Sequence, residues 1–407
     1  MSPTITFADI SEAAARLDDE SIVRRTPIEY SRSLSNRTDA DVHLKMEHLQ
    51  RTGSFKTRGA YNKLQQLSAE GDVSRVVAAS AGNHAQGVAL AATKVGIEST
   101  VVMPTTAPQT KVDATRGYGA DVVLEGRTFQ QALAHARTLA DEEGTRFVHA
   151  YDDPDIVAGQ GTLGVELYEQ LPSVDTVVVP VGGGGLVGGV ATALSALDDD
   201  VRIVGVQASG AATVPESLQK GQPVEVPDPD TIADGIATGG ISELTFSLIR
   251  DHVDEVVVVD DDAIAEAMLA LLERAKQLVE GAGAASVAAL LHGDVDAAGE
   301  QVVPILGGGN IDISSLQSIL THALTGREQL LHLRVRIEDR PGKMGEISAA
   351  IGREGANIQS VRHDRSIEDL SVGEAYLVFR VLTNGESHSE AVVSAVESKG
   401  YTVERGN

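Results

Sequence analysis

Between Val42 and Ile313, short runs of Val, Ile and Ala alternate with longer stretches of helical period. The runs include Val76–Ala79, Ser99–Met103, Asp121–Leu124, Thr176–Pro180, Ile203–Gln207, Glu255–Val259 and Val302–Leu306. A strand with one face in water alternates polar and apolar residues; these runs are apolar almost throughout. Such strands need cover on both faces, and parallel sheets flanked by crossover helices provide it. The pattern therefore predicts an α/β fold, with no internal repeat. One stretch, Thr176–Leu197, holds no charge over 22 residues, long enough to span a bilayer. It also holds Pro180 and six glycines, four of them consecutive, so a strand, a loop and a helix account for it better.

Three segments at the ends of these runs carry residue types with specific chemistry. The first is Ser54-Phe55-Lys56-Thr57-Arg58, which opens a helix. A cation at a helix N-terminus opposes the macrodipole. That field, together with burial, favours the neutral amine that a Schiff-base nucleophile requires. The second is Ser80-Ala81-Gly82-Asn83-His84, a tight turn between strand and helix whose backbone N–H groups suit a carboxylate. The third is Gly182-Gly183-Gly184-Gly185, after the strand Thr176–Pro180 and before a helix predicted over Gly188–Leu197. Four glycines let the backbone close on a phosphate. No Gly-Lys-Ser/Thr follows, and the spacing does not fit a dinucleotide fingerprint. An activated lysine, a carboxylate turn and a phosphate cradle together predict a pyridoxal 5'-phosphate (PLP) enzyme acting on an amino acid.

These segments fall in order with Lys45-Met46-Glu47, Ala233-Asp234-Gly235, Glu280-Gly281-Ala282-Gly283 and Gly308-Gly309-Asn310. As a set they closely resemble the threonine ammonia-lyases (threonine dehydratases), which have the two-lobed tryptophan-synthase-β-like PLP fold, also called fold type II. The resemblance covers about residues 5–325 and implies a small lobe, about residues 47–150, inserted in a larger one. It implies that Lys56 anchors the cofactor and acts as general base, with Phe55 beside the cofactor. Asn83 would meet the cofactor ring hydroxyl, Gly182, Gly183, Gly184 and Gly185 its phosphate, and Glu280 its ring. Ser80, Ala81, Gly82 and His84 would receive the substrate carboxylate, with no proton-transfer role for His84. The chain departs from the family at Gly307, where relatives usually carry Ser or Cys facing the pyridine nitrogen. A water or a backbone group would serve there, and an unprotonated ring suits elimination. The implied reaction converts L-threonine to 2-oxobutanoate and ammonia. The alternatives are a serine ammonia-lyase, a serine or threonine racemase, and, from another class, a non-catalytic amino-acid sensor. Racemases of the family resemble one another in a serine at the place held here by Ala81. They also tend to hold a divalent metal after the strand that ends here at Gln207. The stretch Gln207–Thr213 has no Asp or Glu, so no metal is expected.

The composition shifts after residues 326–330, read as a linker. Leu331, Leu333, Val335 and Ile337 alternate with polar residues, as in a half-buried strand. The loop Asp339–Gly345, a helix over Glu346–Glu354, two further strands, a helix over Ser387–Lys399 and a last strand complete a βαββαβ order. This α+β, ferredoxin-like unit over residues 331–407 resembles an ACT domain. The resemblance implies a homo-oligomer, dimer or tetramer, and a branched-chain amino-acid effector held by Arg340, Gly342, Met344 and Asn357. It also suggests a place in isoleucine biosynthesis. The net charge is −26, and −24 of it lies before Leu331, with 9 lysines against 24 arginines. This haloarchaeal-like composition predicts a surface suited to high salt, and it opposes binding to nucleic acid or to anionic membranes. There is no cysteine, which permits a reducing compartment. The first twenty residues hold Asp9, Glu12 and Asp18 where a signal peptide would be basic and then apolar. The expected location is cytoplasmic.

Overall fold

The structure is a computed structural model and describes residues 4–365 and 370–406. The chain divides into two compact units between Ile313 and Ser314. The first unit contains two sheets. The larger has six strands: β1 (Ile28–Tyr30), β2 (Asp41–Lys45), β7 (Thr176–Pro180), β8 (Arg202–Ala208), β9 (Glu255–Val259) and β10 (Gln301–Pro304). Their order is β1-β2-β10-β7-β8-β9, parallel except for the β1–β2 pair. The smaller sheet comprises β3 (Arg75–Ala79), β4 (Glu98–Met103), β5 (Asp121–Leu124) and β6 (Thr145–Phe147). It is all parallel, in the order β5-β4-β3-β6.

The apolar runs become central strands because both of their faces are covered. Val177, Val178 and Val179 on β7 and Val76, Val77 and Ala78 on β3 are wholly buried. Most of the predicted strands lie within a residue or two of the observed ones. The helix after the glycine loop starts at Gly185, three residues before the predicted Gly188. Glycine's low helix propensity is overridden there by packing, since a Cβ on Gly189 would stand 2.4 Å from the Val157 carbonyl oxygen. Only glycine lets the helices Gly185–Leu197 and Pro154–Gln170 approach so closely.

Within the large sheet, β7 leads on to β8 while β10 sits on its other side. The loops leaving the carboxyl ends of β7 and β10 therefore part and leave a crevice, the usual ligand position of an open parallel sheet.

The second unit holds the helix Ile313–Gly326 and an antiparallel sheet of β11 (Leu330–Glu338), β12 (Asn357–Asp364), β13 (Glu374–Leu382) and β14 (Thr402–Gly406). Its order is β12-β13-β11-β14. Leu331, Leu333, Val335 and Ile337 face a core shared with the helices Lys343–Arg353 and Glu386–Glu397. Among the described residues, no helix is long and apolar enough to cross a membrane.

Candidate active site

Lys56 is the first residue of the helix Lys56–Glu70, which starts without a side-chain cap. Its Nζ donates to the Ala150 carbonyl at 3.3 Å and lies 5.1 Å from the centre of the Phe55 ring. Burial brings its pKa down to about 8, with Glu280 opposing part of the shift. The amine is therefore far closer to its neutral form at pH 7 than an exposed lysine would be.

Lys56 opens into a cavity whose walls include Phe55, Asn83, Gly182 to Gly185, Glu280 and Gly307. Asn83 is the first residue of the helix that follows β3. Its Nδ2 donates to Glu280 Oε1 at 2.7 Å, and its Oδ1 accepts from Asn310 Nδ2 at 2.7 Å. Both ends of the amide are used, which fixes its orientation. Glu280 precedes the helix Gly281–Leu291, and its N–H donates to the Gly308 carbonyl at 3.1 Å. Burial lifts its carboxyl to about 7, with the Asn83 hydrogen bond working against the rise. It titrates near neutrality, 2.7 Å from an amide locked in place.

The four glycines form the mouth of the Gly185–Leu197 helix, whose first-turn N–H groups have no intrahelical acceptor. Gly184 has φ of +86°, a left-handed conformation that a side chain would strain. A Cβ on Gly183 would stand 2.2 Å from Tyr151 Cδ1, and one on Gly182 2.9 Å from Ile236 Cα. A cradle that a single methyl would fill suits an anion held by backbone N–H groups. With a desolvated amine and an oriented amide on the same cavity, these residues fit PLP. At Gly307 a Cβ would meet Phe55 Cδ1 and Pro180 Cγ at 3.5 Å, ordinary contact, so crowding does not force the lack of a side chain there.

Of the residues singled out in the sequence, Ser80, Ala81, Gly82 and His84 do not line this cavity. Gly82 N donates to Ser80 Oγ at 3.1 Å, which tightens the turn ahead of Asn83. The His84 ring is buried, with Nε2 3.0 Å from the Val148 carbonyl. Burial, followed by the nearby Lys56, pushes its pKa down to about 3, so the ring stays neutral. Whatever His84 offers a ligand at the turn comes from its backbone N–H. Tyr151, Ile236, Thr238 and Ala282 also line the cavity and were not singled out. Tyr151 could have been suspected, as an aromatic residue just before Asp153-Pro154, a helix start.

In the second unit, Arg340 and Gly342 stand on the exposed connection from β11 into the helix Lys343–Arg353, and Met344 is exposed on that helix's first turn. The Arg340 side chain is 73% exposed, and Asn357 begins the edge strand β12. Among the described residues, no group of three or more His, Asp or Glu is placed to hold a metal ion.

The family profile described as pyridoxal-phosphate dependent enzyme matches residues 20–308, and the ACT domain profile matches residues 332–400. The chain is 44% identical over 399 residues to an L-threonine ammonia-lyase of Thermotoga maritima, covering 98% of this chain and 99% of that one. It is also 44% identical over 400 residues to an L-threonine ammonia-lyase of Geobacter sulfurreducens, with the same coverage. Among solved structures, the processed form of threonine deaminase isoform 2 from Solanum lycopersicum superposes with a TM-score of 0.73. It is 37% identical, over 78% of this chain and 93% of that one. Maize serine racemase superposes with a TM-score of 0.74 at 34% identity, over 80% of this chain and all of that one.

Proposed function

The chain belongs to the pyridoxal-phosphate-dependent enzymes, with an ACT domain behind the catalytic fold, and from that premise we propose that it converts L-threonine to 2-oxobutanoate and ammonia. The observation that carries this reading is the shared cavity: Lys56, Asn83, Glu280 and the glycine cradle face one space. Relatives that span nearly the whole chain are L-threonine ammonia-lyases.

Lys56 would hold the cofactor, Gly182 to Gly185 its phosphate, and Asn83 and Glu280 the edge of its ring near Phe55 and Gly307. Bound there, PLP supplies a carbonyl that condenses with amines and a ring that withdraws electrons from the substrate α-carbon. Lys56 Nζ takes the α-proton, a task suited to an amine whose pKa lies near the working pH. The threonine hydroxyl leaves from the β-carbon as water, and the resulting enamine hydrolyses to the keto acid and ammonia. The Ser80–His84 turn, tightened by Ser80 Oγ, presents backbone N–H groups to the substrate carboxylate. Ala81 carries no proton to return to the α-carbon from the opposite face, which favours elimination over racemisation.

Regulation, assembly and setting belong to the same proposal. Residues 1–325 are the catalytic part, and residues 331–407 bind a branched-chain amino acid near Arg340, Gly342, Met344 and Asn357. The chain works as a homo-oligomer in the cytoplasm, in isoleucine synthesis, at high salt. Product analysis with L-threonine and L-serine, with and without isoleucine, tests the reading. The expected result is 2-oxobutanoate and ammonia in equal amounts from threonine, pyruvate and ammonia more slowly from serine, and both reactions slowed by isoleucine. Accumulation of D-amino acid in place of keto acid would show a racemase.

A further inference from the structure

We propose that Arg58 is a positioning residue for Lys56, anchoring the first turn of its helix to a buried carboxylate pair and so holding the amine in its desolvated place. The proposal rests on the reading of Lys56 given above and assigns what keeps that lysine where it is.

The Lys56 helix has a poor start. Phe55 sits in the right-handed helical region and offers no cap, and the first turn has no acidic residue. Elsewhere in the unit Thr128, Asp153, Ser242 and Asp260 cap their helices with side-chain oxygens. Here two cations, Lys56 and Arg58, stand in the turn where the macrodipole disfavours them. Something outside the helix must hold this turn.

Arg58 is 2% exposed and fully engaged. Its Nε donates to Glu47 Oε2 at 2.9 Å, and its Nη2 to Glu47 Oε1 and Glu166 Oε2, both at 2.8 Å. Glu166 Oε1 accepts in turn from Lys45 Nζ at 2.6 Å and from Thr26 N at 2.9 Å. Two positive and two negative groups thus balance in the interior. Burial works against the Arg58 charge, but Glu47 and then Glu166 outweigh it and hold the guanidinium above its ordinary range. The network ties the Lys56 helix to β2, to the turn after it, and to the helix Pro154–Gln170. That last helix starts four residues after Ala150, whose carbonyl accepts from Lys56 Nζ. The anchor therefore fixes the lysine's backbone and steadies the segment that its tip touches.

Stability alone is a weak reason for such a cluster, because apolar residues of similar volume often hold a core as well or better. A bidentate guanidinium fixes direction as well as distance, which an ammonium cannot do. The other titratable groups that face Lys56 are Glu280, from the start of the Gly281–Leu291 helix, His84, from the Asn83–Val95 helix, and His149, from the segment after β6. The test leaves all three unchanged.

The experiment uses the full-length, cofactor-free protein. Acetylation of Lys56 by limiting acetic anhydride is followed across pH by peptide mass spectrometry, which reads the titration of that one amine. Arg58→Lys keeps the charge and loses the fork. Its Lys56 midpoint should rise by about one pH unit as water reaches the amine, which lowers the neutral fraction at pH 7 about tenfold. The rate of PLP capture, read by visible absorbance, should fall by the same factor. Leu64→Ala, a cavity on the buried face of the same helix, should lower the melting temperature and leave the midpoint in place. If Arg58→Lys does not fold, Glu47→Asp makes the same test with charge conserved. A midpoint unmoved in the anchoring variant, or moved equally by Leu64→Ala, would overturn the proposal. A wild-type protein that captures PLP on another lysine would instead defeat the functional reading.

Discussion

Gly183→Ala probes the cradle at its narrowest point. The backbone at Gly183 is not in the left-handed region, so an alanine brings no conformational penalty there. Its Cβ, however, would stand 2.2 to 2.4 Å from three carbons of the Tyr151 ring. Carbon atoms rest at about 3.5–4.0 Å, so the ring must move by more than about 1 Å. His149 packs edge-on against that ring, with centroids 4.7 Å apart, and limits its retreat. Overpacking of this kind costs about 1–3 kcal/mol. Taken from cofactor binding, that weakens affinity by a factor of about 5 to 150. Titration of the cofactor-free protein with PLP, followed by visible absorbance, gives the number. Tyr151→Ala combined with Gly183→Ala removes the clash and should recover most of the loss, a coupling that a double-mutant cycle isolates. Wild-type affinity in Gly183→Ala would refute the reasoning, as would a double variant no better than the single one.

Gly189→Ala puts a Cβ 2.4 Å from the Val157 carbonyl oxygen and 2.7 Å from Gly161 N, backbone atoms that cannot turn aside. A helix-propensity gain of about 1 kcal/mol does not offset that clash, so the melting temperature should fall. Gly352→Ala, with nothing within 4 Å, should leave it level or raise it. Stability against pH, measured by denaturant titration of the cofactor-free protein, should carry two marks. Lys56 sits near 8, below its ordinary 10.5, so the unfolded chain binds more protons between those values and stability rises with pH there. Glu280 sits near 7, above its ordinary 4.5, so the folded chain binds more protons between those values and stability falls as pH rises through that window. Lys56→Met and Glu280→Gln should each erase their own mark. A charge of −26 repels itself over a Debye length of about 30 Å at 0.01 M salt and about 3 Å at 1 M. The melting temperature should therefore climb with KCl into the molar range; a flat response would remove support for the high-salt reading.

Much of this architecture was legible because it is local. Apolar runs such as Val76–Ala79 and Thr176–Pro180 announce buried strands, and glycine or lysine at their ends announces a site. What was not legible depends on residues far apart in sequence. Lys45 and Glu166 look like ordinary surface charges until the fold brings them to 2.6 Å. Tyr151 reveals its place only through the glycine opposite it, and Asn310, quoted within a motif, takes its role from Asn83, 227 residues away. The π-helical turn Leu271–Ala275 interrupts a regular pattern without a proline or glycine to announce it. The His84 ring, grouped in sequence with the carboxylate turn, is drawn inward by the Val148 carbonyl. That preference lies in the tertiary structure and not in the motif.

The central claim is that Lys56 is the residue on which the cofactor is held. Borohydride reduction of the PLP-loaded protein, followed by peptide mapping, tests it directly. The expected result is one pyridoxyl-modified peptide with the label on Lys56, absent from Lys56→Ala, which should also lose its visible absorbance and its turnover of L-threonine. A label on any other lysine, or a Lys56→Ala protein that still forms 2-oxobutanoate at the wild-type rate, would contradict the account.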